Sequence, residues 1–180
     1  MYGIMIERIF EAFLKCDKVS IDSREDLQGA MFFGLSGENF NGGKYAENAL
    51  EKGAKYAVVN DEKFCIDSRV FLVTDVLSTL QELALMYRKT FKIPVIGITG
   101  SNGKTTTKEL INLLLKEKYH THLTRGNYNN HIGLPLTILS APTDTEILIL
   151  EMGASAVGEI DELCRIGMPT HGVITNIGPA

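Results

Sequence analysis

The chain has 180 residues, 44% of them hydrophobic and 22% charged, which is enough apolar material for one large or two small soluble domains. Its net charge of −4 argues against a general nucleic-acid binder, which carries a basic face. Three widely spaced cysteines, Cys16, Cys65 and Cys164, form neither a CxxC pair nor a disulfide framework, so free buried thiols in a reducing, cytoplasmic setting are expected.

Along the chain, Met1–Lys15 places Ile6, Ile9, Phe10 and Phe13 on one helical face. Glu7, Arg8 and Glu11 break any apolar run, so the segment is no secretory signal. Nowhere does an apolar stretch approach the length of about 20 residues that a membrane helix needs, and no membrane insertion is expected. Met31–Phe33 is a short apolar run. Tyr45, Ala46, Ala49 and Leu50 follow at helical spacing, with Gly53 placed to stop that helix. Tyr56–Val59 and Val70–Val73 then read as strands, which completes a small α/β module.

A helix is predicted from Val76 to Thr90, with Val76, Leu80, Leu83, Tyr87 and Phe91 in register and Asp75 as its N-cap. The expected division is a front domain over 1–75, a connector over 76–92 and a second domain over 93–180. Strand and helix alternate strictly in that second domain. Strands are predicted at Val95–Thr99, His120–Thr124, Thr145–Leu150 and Gly172–Thr175. Helices are predicted at Lys104–Lys118, with Leu110, Ile111 and Leu114 inward, near Leu134–Leu139, and at Val157–Ile166. Such alternation implies α/β architecture with a parallel sheet covered by helices.

The main chemical signal is Gly97-Ile98-Thr99-Gly100-Ser101-Asn102-Gly103-Lys104-Thr105-Thr106. A strand enters a glycine-rich turn that opens a helix, so backbone N–H groups and the positive helix end converge on one spot. Residues 100–106 are therefore the candidate ATP-phosphate loop. Lys104 is set to reach the β- and γ-phosphates, and the Thr105 hydroxyl to take a place on Mg²⁺. Position 98 is Ile where the general pattern has glycine, leaving the shorter T-G-x-x-G-K-T form. Ligands of open parallel sheets lie beyond the carboxyl ends of the strands. Glu151 stands at such an end and could bind Mg²⁺; the alternatives are a helix cap or a solvated side chain. Gly126-Asn127-Tyr128-Asn129-Asn130-His131-Ile132-Gly133 is either a turn or a set of amides facing an anionic substrate. His120, His122 and His171 show no ligand spacing.

Taken together, Gly97–Thr107, Gly126-Asn127-Tyr128-Asn129-Asn130 and Glu151-Met152-Gly153-Ala154 resemble the Mur ligases. Within that family they resemble the members that join D-alanyl-D-alanine (D-Ala-D-Ala) to UDP-N-acetylmuramoyl-tripeptide. Asp22-Ser23-Arg24, Gly29–Phe33, Gly37-Glu38-Asn39-Phe40 and Gly53-Ala54 agree with the front module of the same family. The resemblance implies a cytoplasmic, monomeric enzyme of peptidoglycan precursor synthesis that uses ATP and Mg²⁺. Ser23 and Arg24 would fall in its UDP-binding motif, Lys104, Thr105 and Glu151 at phosphate and metal positions, and Asn129 and Asn130 in the substrate-facing loop. Asn41-Gly42-Gly43 departs from the Asp-Gly-His turn common there. The family's later metal-binding His, carbamylated Lys and third domain have no counterpart in these 180 residues, so a partial ligase is expected. The rival readings are a small P-loop kinase and a UDP-sugar- or nucleotide-binding module without turnover.

Overall fold

The structure, a computed structural model, describes residues 2–37 and 40–178, with side chains from Ile4 onward. Glu38 and Asn39 of the front-module motif, and Pro179-Ala180, lie outside the described residues. The chain divides into two compact units, Met1–Leu83 and Ala84–Ala180.

In the first unit the strands β1 (Lys18–Ser20), β2 (Ala30–Phe33), β5 (Tyr56–Val59) and β6 (Val70–Leu72) form one parallel sheet in the order β1-β2-β5-β6. Between them come a two-residue pairing of β3 (Ser36–Gly37) with β4 (Phe40–Asn41) and the short helix α2 (Ala46–Glu51). β2 is buried along its whole length, because both faces of a parallel sheet are covered. Ala30 and Phe32 join Ala46, Ala49, Leu50 and Ala57 in one cluster, while the alternate residues Met31 and Phe33 are buried outside it. Helix α1 (Tyr2–Phe13) buries Ile9 and Phe13, two members of the face expected from the sequence. In the Asn41-Gly42-Gly43 turn, a Cβ at Gly43, where the common turn has His, would stand 2.7 Å from the Phe64 ring.

Helix α3 (Val76–Thr90) has the predicted bounds, and the Asp75 carboxylate accepts the Ser78 N–H as its cap. Its last turn serves the second unit. The Arg88 guanidinium is buried and donates to the carbonyls of Gly167 (2.8 Å), Met168 (2.9 Å) and Phe91 (3.2 Å).

The second unit has the order β10-β7-β9-β8, all parallel: β10 (His171–Ile174), β7 (Val95–Thr99), β9 (Ile147–Glu151) and β8 (Thr121–Leu123). The crossovers carry α4 (Lys104–Leu115), α5 (Gly133–Leu139) and α6 (Glu159–Gly167). α5 and α6 start later or earlier than predicted by one or two residues, and Val157 is fully exposed ahead of α6 rather than inside it. The inward face of α4 differs from the predicted one. Ile111 and Leu115 pack against Ile98, Ile147 and Ile149, while Leu110 and Leu114 are 57% and 75% exposed. The row facing the sheet runs Lys108, Ile111, Leu115, a helical period in which the lysine is the buried member and the two apolar residues are partly buried. Among the described residues no helix is long and apolar enough to cross a membrane.

All three cysteines are free and partly buried. Burial pushes the Cys16 thiol up to about 11, against a smaller opposing pull from Lys55. Thiolate is the reactive form, so Cys16 should react with a disulfide reagent at pH 8 at least about tenfold more slowly in the native than in the urea-unfolded chain. The native rate should climb as pH rises toward 11. Replacing Arg88 by Met keeps bulk but leaves three carbonyls without a charged donor. It should cost roughly 2–4 kcal/mol in urea unfolding, with Arg88→Lys intermediate.

Candidate functional site

The carboxyl ends of β7, β8 and β9 carry the loops that hold the candidate residues of this unit. At the end of β7 the chain turns through Gly100, whose φ of +139° disfavours any side chain, and Gly103, the left-handed residue (φ +80°) that opens α4. No side chain caps α4. The first N–H groups of a helix have no partner within it, and so the opening turn at Lys104–Thr106 is free to receive an anion. Lys104 folds back so that its ammonium donates to the Gly100 carbonyl at 2.5 Å.

Ser101 and Asn102 differ from the sequence expectation of open loop donors. Both N–H groups are taken by Asn176, through its backbone carbonyl (3.2 Å) and its side-chain oxygen (2.9 Å) respectively. Thr175 donates its hydroxyl to the Asn102 carbonyl at 2.6 Å. The segment after β10 thus clasps the phosphate loop from its far side. Sequence reading missed this clasp because Thr-Asn after an apolar strand is an ordinary way for a chain to leave a sheet.

Glu151 ends β9 and is 2% exposed, which rules out the solvated alternative. Nor does it cap α6; Glu159 accepts the Ser155 and Ala156 N–H groups there, and these bonds hold its carboxyl below the usual range. Glu151 instead gathers three chain segments. Its Oε2 accepts the Thr105 hydroxyl at 2.9 Å, its Oε1 accepts the Asn129 amide at 2.9 Å, and the buried Lys108 ammonium lies 3.7 Å from Oε2. Its own N–H donates to the Thr124 hydroxyl, and Lys108 donates to the Thr124 carbonyl at 2.7 Å. Lys108 and Thr124 carried no sequence signal, since a lysine in the second turn of an amphipathic helix ordinarily faces water.

The Asn/Gly-rich run is both a turn and part of the site. The Asn130 side-chain oxygen accepts the Ile132 and Gly133 N–H groups and starts α5. Asn129 is tied to Glu151, and its carbonyl takes the Gly153 N–H at 2.7 Å. Beside them opens a cleft of about 400 Å³, whose lining includes Lys104, Asn129, Asn130, Gly153, Ser155 and Glu159. Lys104, Thr105, Asn129, Asn130 and Glu151 therefore share one sheet end.

Ser23 and Arg24 belong to the other unit, in the loop after β1. Arg24 is exposed and forms a two-pronged ion pair with Asp22 (2.6 and 2.8 Å). That hydrogen bonding holds the Asp22 carboxyl down at about 2. The Ser23 carbonyl accepts the Lys52 ammonium at 2.7 Å.

Residues 15–98 match the Mur ligase family, catalytic domain, and residues 98–180 match the Mur ligase middle domain. The chain belongs to the Mur ligase family. It is 49% identical over 163 residues to the UDP-N-acetylmuramoyl-tripeptide–D-alanyl-D-alanine ligase of Bacillus subtilis, an alignment that takes in 89% of this chain and 35% of the relative. The Synechocystis ligase of the same name is 42% identical over 170 residues, 93% of this chain and 37% of the relative. Among solved structures, Thermotoga maritima MurF in complex with ADP superposes with a TM-score of 0.83 at 39% identity, covering 93% of this chain and 39% of that one. A MurF structure from Acinetobacter baumannii gives 0.84 at 30% identity, over 97% of this chain and 41% of that one. The chain thus spans a little over a third of the Mur ligases it matches.

The two loop glycines should respond differently to alanine. A Cβ at Gly100 would fall on the Thr175 hydroxyl, whereas one at Gly103 meets nothing within 4 Å. Gly103→Ala should cost about 1 kcal/mol from its backbone angle alone, and Gly100→Ala roughly 2–3 kcal/mol, read as the difference in urea midpoints.

Proposed function

We propose that this chain is the front portion of a UDP-N-acetylmuramoyl-tripeptide–D-alanyl-D-alanine ligase, MurF. Residues 1–75 hold the UDP end of the substrate through Ser23 and Arg24, 76–92 connect, and 93–180 hold ATP. The reading rests foremost on the convergence of Thr105, Asn129 and Glu151 at the end of β9, because it unites the three motifs that carried the resemblance. A cytoplasmic monomer is part of this reading.

The donor set fits Mg²⁺. Thr105 offers a hydroxyl and Glu151 a carboxylate, hard oxygen ligands one hydrogen bond apart. No cluster of three or more His, Cys, Asp or Glu that could hold a metal occurs among the described residues. A cation held by one carboxylate, one hydroxyl and the nucleotide's own phosphates is the usual Mg²⁺ arrangement. When bound, it would neutralise charge on the transferred phosphoryl group.

In the complete ligase, the terminal carboxylate of the tripeptide attacks the γ-phosphorus of ATP, ADP leaves, and an acyl phosphate forms. The amine of D-Ala-D-Ala then adds to that carbonyl, and phosphate departs as the amide forms. The residues in hand position groups and hold charge, which is most of what phosphoryl transfer asks of a protein. Lys104 leaves the Gly100 carbonyl for the β- and γ-phosphates, the first-turn N–H groups of α4 cradle them, and Asn129 and Asn130 face the tripeptide end.

Calorimetric titration of this 180-residue protein should show saturable binding of Mg·ATP and, separately, of UDP-N-acetylmuramoyl-tripeptide. Lys104→Ala should weaken Mg·ATP by roughly a hundredfold while leaving the UDP compound untouched. Nucleotide binding without any heat from the UDP compound would remove the ligase assignment and favour a small kinase.

A further inference from the structure

Lys108 is a buried cation for which the phosphate loop has no use. It stands one helical turn beyond Thr105 on α4, and residues three apart share a helix face. Both side chains therefore converge on Oε2 of Glu151, the hydroxyl at 2.9 Å and the ammonium at 3.7 Å. Side-chain exposure is 1% for Lys108 and 3% for Glu151. Glu109 also approaches the ammonium, at 3.2 Å, but its side chain is 59% exposed, where solvent screens an ion pair. Burying a lone ion is costly, and a buried partner of opposite sign offsets it. The Glu151 carboxylate is thus pinned from three sides, by Thr105, Asn129 and Lys108, and its charge is matched before any ligand arrives.

That has a consequence for metal binding. A bare divalent cation approaching Thr105 and Glu151 meets a site of no net charge, with a fixed ammonium behind the carboxylate. A cation that arrives chelated by phosphates brings its own compensating negative charge. We propose that Lys108 is a positioning residue, the fixed counter-ion of Glu151, and that it makes this position take a divalent cation as the nucleotide complex and not as the free ion. The inference rests on the nucleotide-site reading above.

Free Mn²⁺ and Mg·ADP are titrated calorimetrically into the 180-residue protein and into its Lys108→Met and Lys108→Arg variants. Wild type and Lys108→Arg should bind free Mn²⁺ weakly. Lys108→Met should bind it at least about tenfold more tightly, because the repelling charge is gone, and the advantage of Mg·ADP over free metal should shrink. Lys108→Met binding Mn²⁺ no more tightly than wild type overturns the proposal. Thermal melts of Lys108→Met, Glu151→Gln and the double variant provide a second measure that survives a poorly folding single variant. The double variant should melt above either single one, as charge removed in pairs restores balance; no recovery overturns the counter-ion role. Absence of Mg·ADP binding by wild type would instead sink the nucleotide reading, and the melts would still decide the pairing.

Discussion

The carboxylate of Glu151 is the constraint around which the second unit is arranged. A negative charge at the end of a buried strand is tolerated only where donors and a cation surround it. Those groups come from two separate stretches, Thr105 and Lys108 on α4 and Asn129 before α5, while the Thr124 hydroxyl after β8 accepts the Glu151 backbone N–H. Satisfying one side chain therefore fixes the approach of the α4 end and the Asn-rich turn to one another, and the Glu151 N–H and the Lys108 ammonium tie in Thr124 at the end of the edge strand. Local packing alone would hold each of these loosely, since loops at sheet ends bury little apolar surface.

A second tie works from the opposite side of β7. Parallel strand order puts β9 and β10 on either flank of β7, so the loop leaving β7 lies between the loops leaving both neighbours. Glu151 grips the helix end of the phosphate loop, and Thr175 with Asn176 grips its turn. Arg88 supports that clasp at one remove, because its bonds to Gly167 and Met168 set the turn from which β10 begins. The backbone there passes through Met168 in the left-handed region (φ +45°), an uncommon conformation for a residue with a side chain, and the guanidinium bonds hold it. Rigidity at the site is thus inherited from contacts a full strand-length away.

Much of this was legible in the sequence, for a physical reason. A parallel α/β unit writes its elements as apolar runs alternating with amphipathic ones, and a phosphate loop needs glycines at set places. Hence β7, α3 and the turn at residues 100–103 could be read directly. β1 was not, because Lys18–Ser20 is three residues long and has no apolar run. The inward face of α4 differs in part from the one its sequence suggests, for a related reason. Leucine spacing points to Leu110, Ile111 and Leu114 as the inward face, and of these only Ile111 faces the sheet, in a row that contains Lys108, while Leu110 and Leu114 turn away from it. Hydrophobicity locates a buried face only when the buried residues are apolar. Here a charge is buried because another charge, 43 residues further along the chain, is buried opposite it.

The same reasoning separates the two functions a residue such as Asn129 serves. Its amide holds Glu151 and its carbonyl holds Gly153, so it is structural in the plain sense. Yet Asn129 itself lines the adjoining cleft together with Lys104 and Ser155. Parallel sheets leave the ends of their strands as the one place where several loops meet without covering each other. Polar residues that knit those loops together must therefore lie within reach of whatever binds there. At such a site a bond that holds the fold and a bond that prepares the chemistry are the same bond. The burial of Glu151 among Thr105, Lys108 and Asn129 is a case of this, because each of these bonds ties the carboxylate to a loop or helix end of the same sheet edge.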